Sequence, residues 1–317
     1  MKRLTSICTF ALLAGAANAQ DYPLTIEHKF GTTVIETAPE RVASVDYNGI
    51  DNLLALGVQP VAVRYWYGDF EYTAWPWAAD YLESTPEVLS GNLNFEQIAS
   101  TNPDVIIATW SGITANEYEQ LSKIAPVVAV PEGVGDYAMP WDDLALRAGL
   151  ATGNLDAAEE LVAQVHADLS AVADRHPDWA GQTASVAYLM GGTLGAYTSH
   201  DLRPLLLSNL GFETPQAIDD AATEGNPFTV TLSEERIDII DANVVIWFPT
   251  DGIEAVQSLS LRPTLSAVTE GREVFADELL VGAFSYASLL SLPYALEKLE
   301  PMIEAAIDGN PTTQVPQ

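Results

Sequence analysis

The feature that most constrains this chain is a unit that occurs twice. Glu96-Gln97-Ile98 leads through Asn102-Pro103-Asp104 into Val105-Ile106-Ile107, and Glu235-Arg236-Ile237 leads through Asp241-Ala242-Asn243 into Val244-Val245-Ile246 at the same spacing. A short helix, a turn and a β-branched run make one α/β unit, common enough to match itself by chance. A second echo in the same order, Leu56-Gly57-Val58 against Leu210-Gly211-Phe212, makes two similar lobes the better reading.

The first half alternates strand and helix throughout. Residues 41–45 read as a strand closed by Asp46, 50–56 as a helix ended by Gly57, and 58–63 as a second strand. Residues 95–100 are helical, 105–108 strand, 118–124 helical and 127–130 strand, the grammar of a parallel sheet covered on both faces. Between the halves lies the longest helical pattern. Leu155, Ala158, Leu161, Val162, Val165, Leu169 and Val172 recur at helical spacing, Asn154 is placed to cap the start and Pro177 stops it. The expected fold is therefore α/β: an N-terminal lobe over 20–140, a connector helix region over 141–177 and a C-terminal lobe over 178–317, with parallel sheets in both lobes. A stiff single connector predicts a small relative rotation of the lobes.

Residues 1–19 read as a cleaved secretory signal: Lys2 and Arg3, a mostly apolar stretch to Ala17, then Ala17-Asn18-Ala19 before Gln20. The stretch is shorter than the roughly 20 apolar residues of a membrane span. Cys8, the single cysteine, lies inside it and too early to accept a lipid, so the mature chain is expected without disulfide or thiolate site, exported and not lipid-anchored. Free periplasmic residence as a monomer is the expectation. The formal charge of −31 disfavours nucleic acid and anionic membranes as partners and makes any arginine aimed into a pocket informative.

Further runs carry a resemblance. Pro39-Glu40-Arg41-Val42-Ala43-Ser44, the segment from Leu53 to Val63, Asn94-Phe95-Glu96-Gln97-Ile98 with Asn102 to Ile107, Leu121 to Pro126, Leu232 to Asn243 and Gly271 to Phe275 resemble the iron-siderophore substrate-binding proteins of ABC importers. The resemblance spans nearly the whole mature chain through the order and spacing of these motifs. It implies two lobes joined by one long helix, a shallow ligand cleft between them and no catalysis. The ferric siderophore is then transported ligand, with no cofactor, and the permease subunits are the partner. In the family a glutamate on each lobe docks into the permease; the matching positions are Glu96 and Glu235.

Ligands of parallel sheets bind beyond the strands' carboxyl ends. That rule selects Arg64, Trp66 and Tyr67; Trp110 and Ser111; Tyr197, His200 and Arg203; Trp247; and, from the late segment, Phe284 and Tyr286. Aromatic rings suit a bulky, partly apolar chelate, although each could equally pack the core. Trp110-Ser111-Gly112 resembles a pocket segment of hydroxamate-siderophore binders, whereas Ser90 stands where those binders carry an arginine. Trp75 and Trp77, around Pro76, read as a lid or as a packed loop. Burying a strongly anionic tricatecholate complex without cationic partners is prohibitive. With Arg64 and Arg203 alone placed to answer it, the expected ligand is a neutral or weakly anionic chelate, of hydroxamate or mixed type. The four histidines show no metal-ligand spacing, so no side chain is assigned to a metal. Haem or a corrinoid in the same cleft is the alternative cargo. An enzyme of the two-lobed chelatase type is the more distant one, with no phosphate loop, dinucleotide fingerprint or nucleophile elbow to support it.

Overall fold

The structure, a computed structural model, describes residues 20–316, so the expected signal segment and Cys8 lie outside the described residues. A hairpin of β1 (Leu24–His28) and β2 (Gly31–Ile35) precedes the first sheet. That sheet contains β3 (Val42–Ser44), β4 (Ala62–Arg64), β5 (Glu87–Leu89), β6 (Val105–Ala108) and β7 (Val127–Ala129), all parallel, in the order β5-β4-β3-β6-β7. Its central strands are buried without alternation because both faces are covered by helices: every residue of β3 and β6 is buried, and all but Ser44 are apolar. The second strand is shorter than its expected span. Val58 instead gives its N–H to Leu53, closing the preceding helix behind Gly57 (φ 73°), and Gln59-Pro60 bridges to β4.

The second sheet contains β8 (Ala184–Met190), β9 (Thr193–Tyr197), β10 (Thr229–Leu232), β11 (Val244–Phe248) and β12 (Glu273–Phe275), in the order β10-β9-β8-β11-β12. It is mixed, which corrects the expectation of two parallel sheets: β8, β11 and β12 are parallel, but the Gly191-Gly192 turn folds β9 back antiparallel to β8, and β10 pairs antiparallel to β9.

The repeat seen in the sequence has a physical counterpart. β6 and β11 occupy the same place in their sheets, as do β3 and β8. The Asp104 carboxylate, just before β6, accepts the backbone N–H groups of Glu40 and Arg41 that lead into β3 (2.8 and 3.0 Å). Asn243, just before β11, accepts the N–H of Thr183 that leads into β8 (2.8 Å). Phe212 closes a helix onto Leu207 past Gly211 as Val58 does onto Leu53 past Gly57.

The stretch between the sheets holds two helices, Trp141–Thr152 and Leu155–Arg175, broken by left-handed Gly153. The long helix buries Ala158, Val162, Val165, Leu169 and Val172, as the periodicity predicts. Asn154 stands at its N-cap, but the side chain turns back to donate to Thr152 and caps nothing. At the far end His176 stacks on Trp179 (4.0 Å) and hydrogen-bonds Glu300, which also pairs with Arg175. His28 bonds Thr33 and His166 bonds Asp142, so each of these three histidines has a structural partner.

A second attachment joins the halves. Asn48 and the helix Gly49–Ala55, beside the first sheet, meet the turn between the helices Glu278–Tyr286 and Ser291–Ala306. Asn48 Nδ2 donates to the Tyr286 carbonyl (2.9 Å), Asp51 Oδ2 accepts from Ser288 Oγ (2.7 Å), and Asn52 Oδ1 accepts the Leu289 N–H (3.1 Å). All three side chains are buried. Trp77 Nε1 also donates to Asp51 Oδ2 (2.7 Å). Trp75, fully buried, stacks on Trp77 and lies so close to Gly282 that a Cβ there would stand 2.3 Å from the indole. Trp75 and Trp77 are thus a packed loop; burial removes the lid reading.

Burial raises the Asp51 carboxyl to about 6, against the lowering effect of its bonds from Ser288 and Trp77. A carboxyl whose folded pKa is raised contributes stability at low pH that is lost as the pH rises through about 6. Asp51→Asn removes that dependence. Urea unfolding should therefore show the variant gaining on the wild type by about 2 to 3 kcal/mol between pH ~4 and pH ~7. An unchanged stability difference across that range contradicts the assignment.

Candidate functional site

A cavity of about 510 Å³ opens between the two halves. One wall is aromatic and comes from the first half. Tyr47 follows β3, Trp66 follows β4 and Trp110 follows β6, the carboxyl ends of three neighbouring parallel strands. Tyr137, from the loop after β7, completes it. The rings meet edge to face or tilted, Trp66 to Trp110 at 5.2 Å, Trp110 to Tyr137 at 5.2 Å and Tyr47 to Trp66 at 6.0 Å, so each ring is packed against its neighbours in the wall.

Buried Asp46 holds this wall in place. Its Oδ1 accepts the Trp110 N–H (2.7 Å) and its Oδ2 the Thr109 hydroxyl (2.5 Å), tying the loop after β6 to the loop after β3. Desolvation raises its pKa, opposed by these hydrogen bonds and by the positive charge of Arg64. Arg64 lies over the Tyr47 ring (4.0 Å) and donates through Nη1 to the Ser111 carbonyl (3.1 Å). The same carbonyl accepts the Tyr137 hydroxyl (3.4 Å). That approach explains Gly112 in the Trp110-Ser111-Gly112 run: its φ is 63°, and a Cβ would stand 2.0 Å from the Tyr137 hydroxyl.

The opposite wall is Asp201, Leu202, Arg203 and Phe228. Asp201 accepts the Arg203 N–H at the start of the helix Leu202–Asn209 (3.0 Å). Its two oxygens also take Arg203 Nη1 at 2.9 and 3.0 Å. Ser285 Oγ accepts Nε and Nη2 (3.2 and 2.9 Å), and the guanidinium lies over Tyr197 (4.2 Å). Burial works against the Arg203 charge, but Asp201 and the tyrosines around it outweigh that and hold its pKa above the usual value.

The expected site residues divide accordingly. Trp66, Trp110 and Arg203 line the cavity, and Arg64 with Ser111 backs its aromatic wall. Tyr67 and Tyr197 lie one layer behind: Tyr67 is edge-on to Trp66 (4.7 Å), its hydroxyl pushed up to about 12 by burial, and Tyr197 sits under Arg203. Three expectations are corrected by packing. Trp247 alternates on β11 to the face away from the long helix, fully buried, with Nε1 donating to Glu273. Phe284 is enclosed against Phe248 (5.6 Å), and Tyr286 is sealed beneath Trp66 and Trp75 in the seam between the halves. His200 is exposed and is not part of the cavity wall. Tyr47, Tyr137, Asp201, Leu202 and Phe228 are the additions. The carboxyl-end rule applied to β3 finds Tyr47, and Asp201 carries an N-cap signal, whereas Phe228 reaches the cavity only because β9 and β10 reverse direction. Glu96 and Glu235 are both exposed, on the short helices that precede the equivalent strands β6 and β11.

Two α/β sheets flanked by helices, a long helix between them and a cleft walled by both halves define a two-lobed solute-binding protein. The model of the family described as periplasmic binding protein matches residues 42–277, and the chain belongs to that family. A Bacillus subtilis protein described as probable siderophore-binding lipoprotein YfiY is 30% identical over 274 residues, 81% of each chain. The solved periplasmic solute binding protein of Mycobacterium smegmatis superposes with a TM-score of 0.78 at 30% identity, covering 90% of this chain and 97% of that one. Streptococcus pneumoniae PiaA, solved in complex with ferrichrome, gives 0.75 at 27% identity, covering 90% and 99%. Among the described residues no helix is long and apolar enough to cross a membrane, and no group of three or more metal-ligating side chains converges.

Proposed function

We propose that this protein captures a ferric siderophore in the cleft between its lobes and presents it to the permease of an ABC importer. The observation that carries the reading is the cleft itself: four interlocked aromatic rings facing an arginine-bearing wall, in a chain whose relatives include proteins named for siderophore binding. The rings supply apolar contact area with little rotamer freedom to lose, and the arginines supply donors for the oxygens around the metal. Two guanidinium groups, one of them paired with Asp201, favour a neutral or weakly anionic chelate of hydroxamate or mixed type over a trianionic one. The ligand carries the metal, so the protein needs no metal ligands of its own.

Titration of tryptophan fluorescence with ferric hydroxamate, catecholate and citrate-type complexes, and with haemin and cobalamin, tests this. The expected result is saturable quenching by a neutral ferric hydroxamate below about 1 μM, weakened about tenfold or more by Arg64→Ala or Arg203→Ala. Quenching by haemin or cobalamin alone, or by nothing, overturns the ligand assignment.

Glu96 and Glu235 are proposed as the permease-docking pair, since they are exposed and occupy equivalent places before β6 and β11. Glu96→Ala with Glu235→Ala should abolish siderophore-dependent uptake in cells while ligand affinity stays unchanged; uptake at the wild-type rate excludes the role. We further propose that the chain is cleaved after Ala19 and resides free in the periplasm as a monomer. Intact mass of the exported protein should match a monomer beginning at Gln20, and a lipid-modified species contradicts it.

A further inference from the structure

We infer that Asp201 is the residue that sets the charge of the ligand this cleft accepts, a role that rests on the siderophore reading above. The two cationic groups of the site are not equivalent. Arg203 is bound through Nη1 to both Asp201 oxygens, and the Ser285 hydroxyl takes Nε and Nη2. Asp201 and Arg203 are each only 12% exposed, so solvent does little to separate the pair. The carboxylate therefore cancels the guanidinium charge where a ligand would feel it. Arg64, on the opposite wall, donates to the carbonyls of Val45 and Ser111, which orient the group and leave its charge in place.

A second contribution acts on the Arg64 side. The buried Asp46 carboxyl lies close enough to sense Arg64, but its oxygens are already held by the Thr109 hydroxyl and the Trp110 N–H. Arg64 thus presents at most one positive charge to the cavity, and the Asp201–Arg203 pair presents none. Outside the cleft, a body with a formal charge of −31 repels anions at long range. A neutral chelate meets no penalty from this arrangement. A trianionic one would enter a low-dielectric cavity with one positive charge to answer it and a carboxylate in the wall.

Asp201 is suited to a test because its structural and electrostatic roles separate. As N-cap of the helix Leu202–Asn209 it needs an acceptor oxygen, which asparagine and serine also provide. Asp201→Asn therefore removes the charge and keeps the cap, and Asp201→Ser does the same with a shorter side chain. Ser285→Ala removes the other anchor of Arg203 and no charge.

The experiment measures affinities of the wild type and these variants for ferrichrome, a neutral ferric trihydroxamate, and for ferric enterobactin, a trianionic tricatecholate, at low and high salt. The wild type should prefer ferrichrome. Asp201→Asn and Asp201→Ser should shift the affinity ratio toward ferric enterobactin by at least about tenfold, with the gain shrinking as salt is added. Ser285→Ala should leave the ratio within about twofold, because the serine hydroxyl it removes is neutral, unlike the Asp201 carboxylate. A folded Asp201→Asn protein whose ratio moves less than about twofold overturns the inference, as does a wild type that prefers ferric enterobactin, or a Ser285→Ala protein that shifts as far as Asp201→Asn. A wild type that binds neither complex, nor any other ferric chelate, removes the siderophore reading and the inference with it.

Discussion

Asp51 carries the constraint on which the rest of this structure depends. A carboxyl group with no exposed surface is tolerated because Ser288 and Trp77 donate to it, and these donors come from opposite sides of the junction between the lobes. With Asn48 and Asn52 it makes a line of buried hydrogen bonds from one short helix to the 286–289 turn. Each bond is worth about 1 kcal/mol when formed, and a partner left unsatisfied in that interior costs about 1–3 kcal/mol. The asymmetry makes opening the junction far less favourable than the number of bonds suggests. Trp75 against Gly282 seals the same seam with apolar contact.

The lobes are therefore attached twice, by the long helix Leu155–Arg175 and by this seam. The largest apolar cluster runs continuously from Ile50 and Leu54 through Trp75 and Trp77 into Leu280, Leu292 and Leu296, with the long helix contributing Val162, Val165 and Leu169. Two attachments and a shared core leave little freedom for the walls to separate, so the cleft exists before any ligand arrives. Preorganisation of this kind reduces the ordering cost of binding. Tyr286 makes the connection explicit: its carbonyl is held by Asn48, and its buried ring packs behind Trp66, which lines the cleft.

The N-terminal half was the more legible in the sequence, for a physical reason. Its sheet is wholly parallel, so the residues after β4 and β6 fall at the cleft, and Trp66 and Trp110 could be selected by position alone. The helix Phe95–Ser100 and the strand Val105–Ala108 also emerge with the expected bounds, because Asn94 caps the first and an apolar run defines the second. In the C-terminal half the hairpin of β8 and β9 breaks the rule. Trp247 falls outside the site for a different reason: β11 runs on to Phe248, so Trp247 lies within the strand on its buried face, and the wall is built from Asp201, Leu202, Arg203 and Phe228. The buried seam was not legible at all. No pattern in the sequence singles out Asn48, Asp51 and Asn52; they are buried by the packing of residues 286–289, and at Asp51 also of Trp77, against them.

Charge and fold are joined at the same atoms on both walls. Asp46 fixes the position of Trp110 by accepting its N–H while it moderates the field of Arg64. Asp201 starts the helix Leu202–Asn209 and at the same time compensates Arg203. A cleft evolving toward a more anionic ligand along this scaffold could not simply delete either carboxylate. Loss of Asp46 would untie the loop after β6, and loss of Asp201 without a replacement acceptor would uncap a helix at a cost of about 1 kcal/mol. The accessible route is substitution by a neutral side chain that still accepts a hydrogen bond. Selectivity in this cleft is thereby tied to a small set of acceptor residues, and the aromatic wall can be kept while the charge is changed.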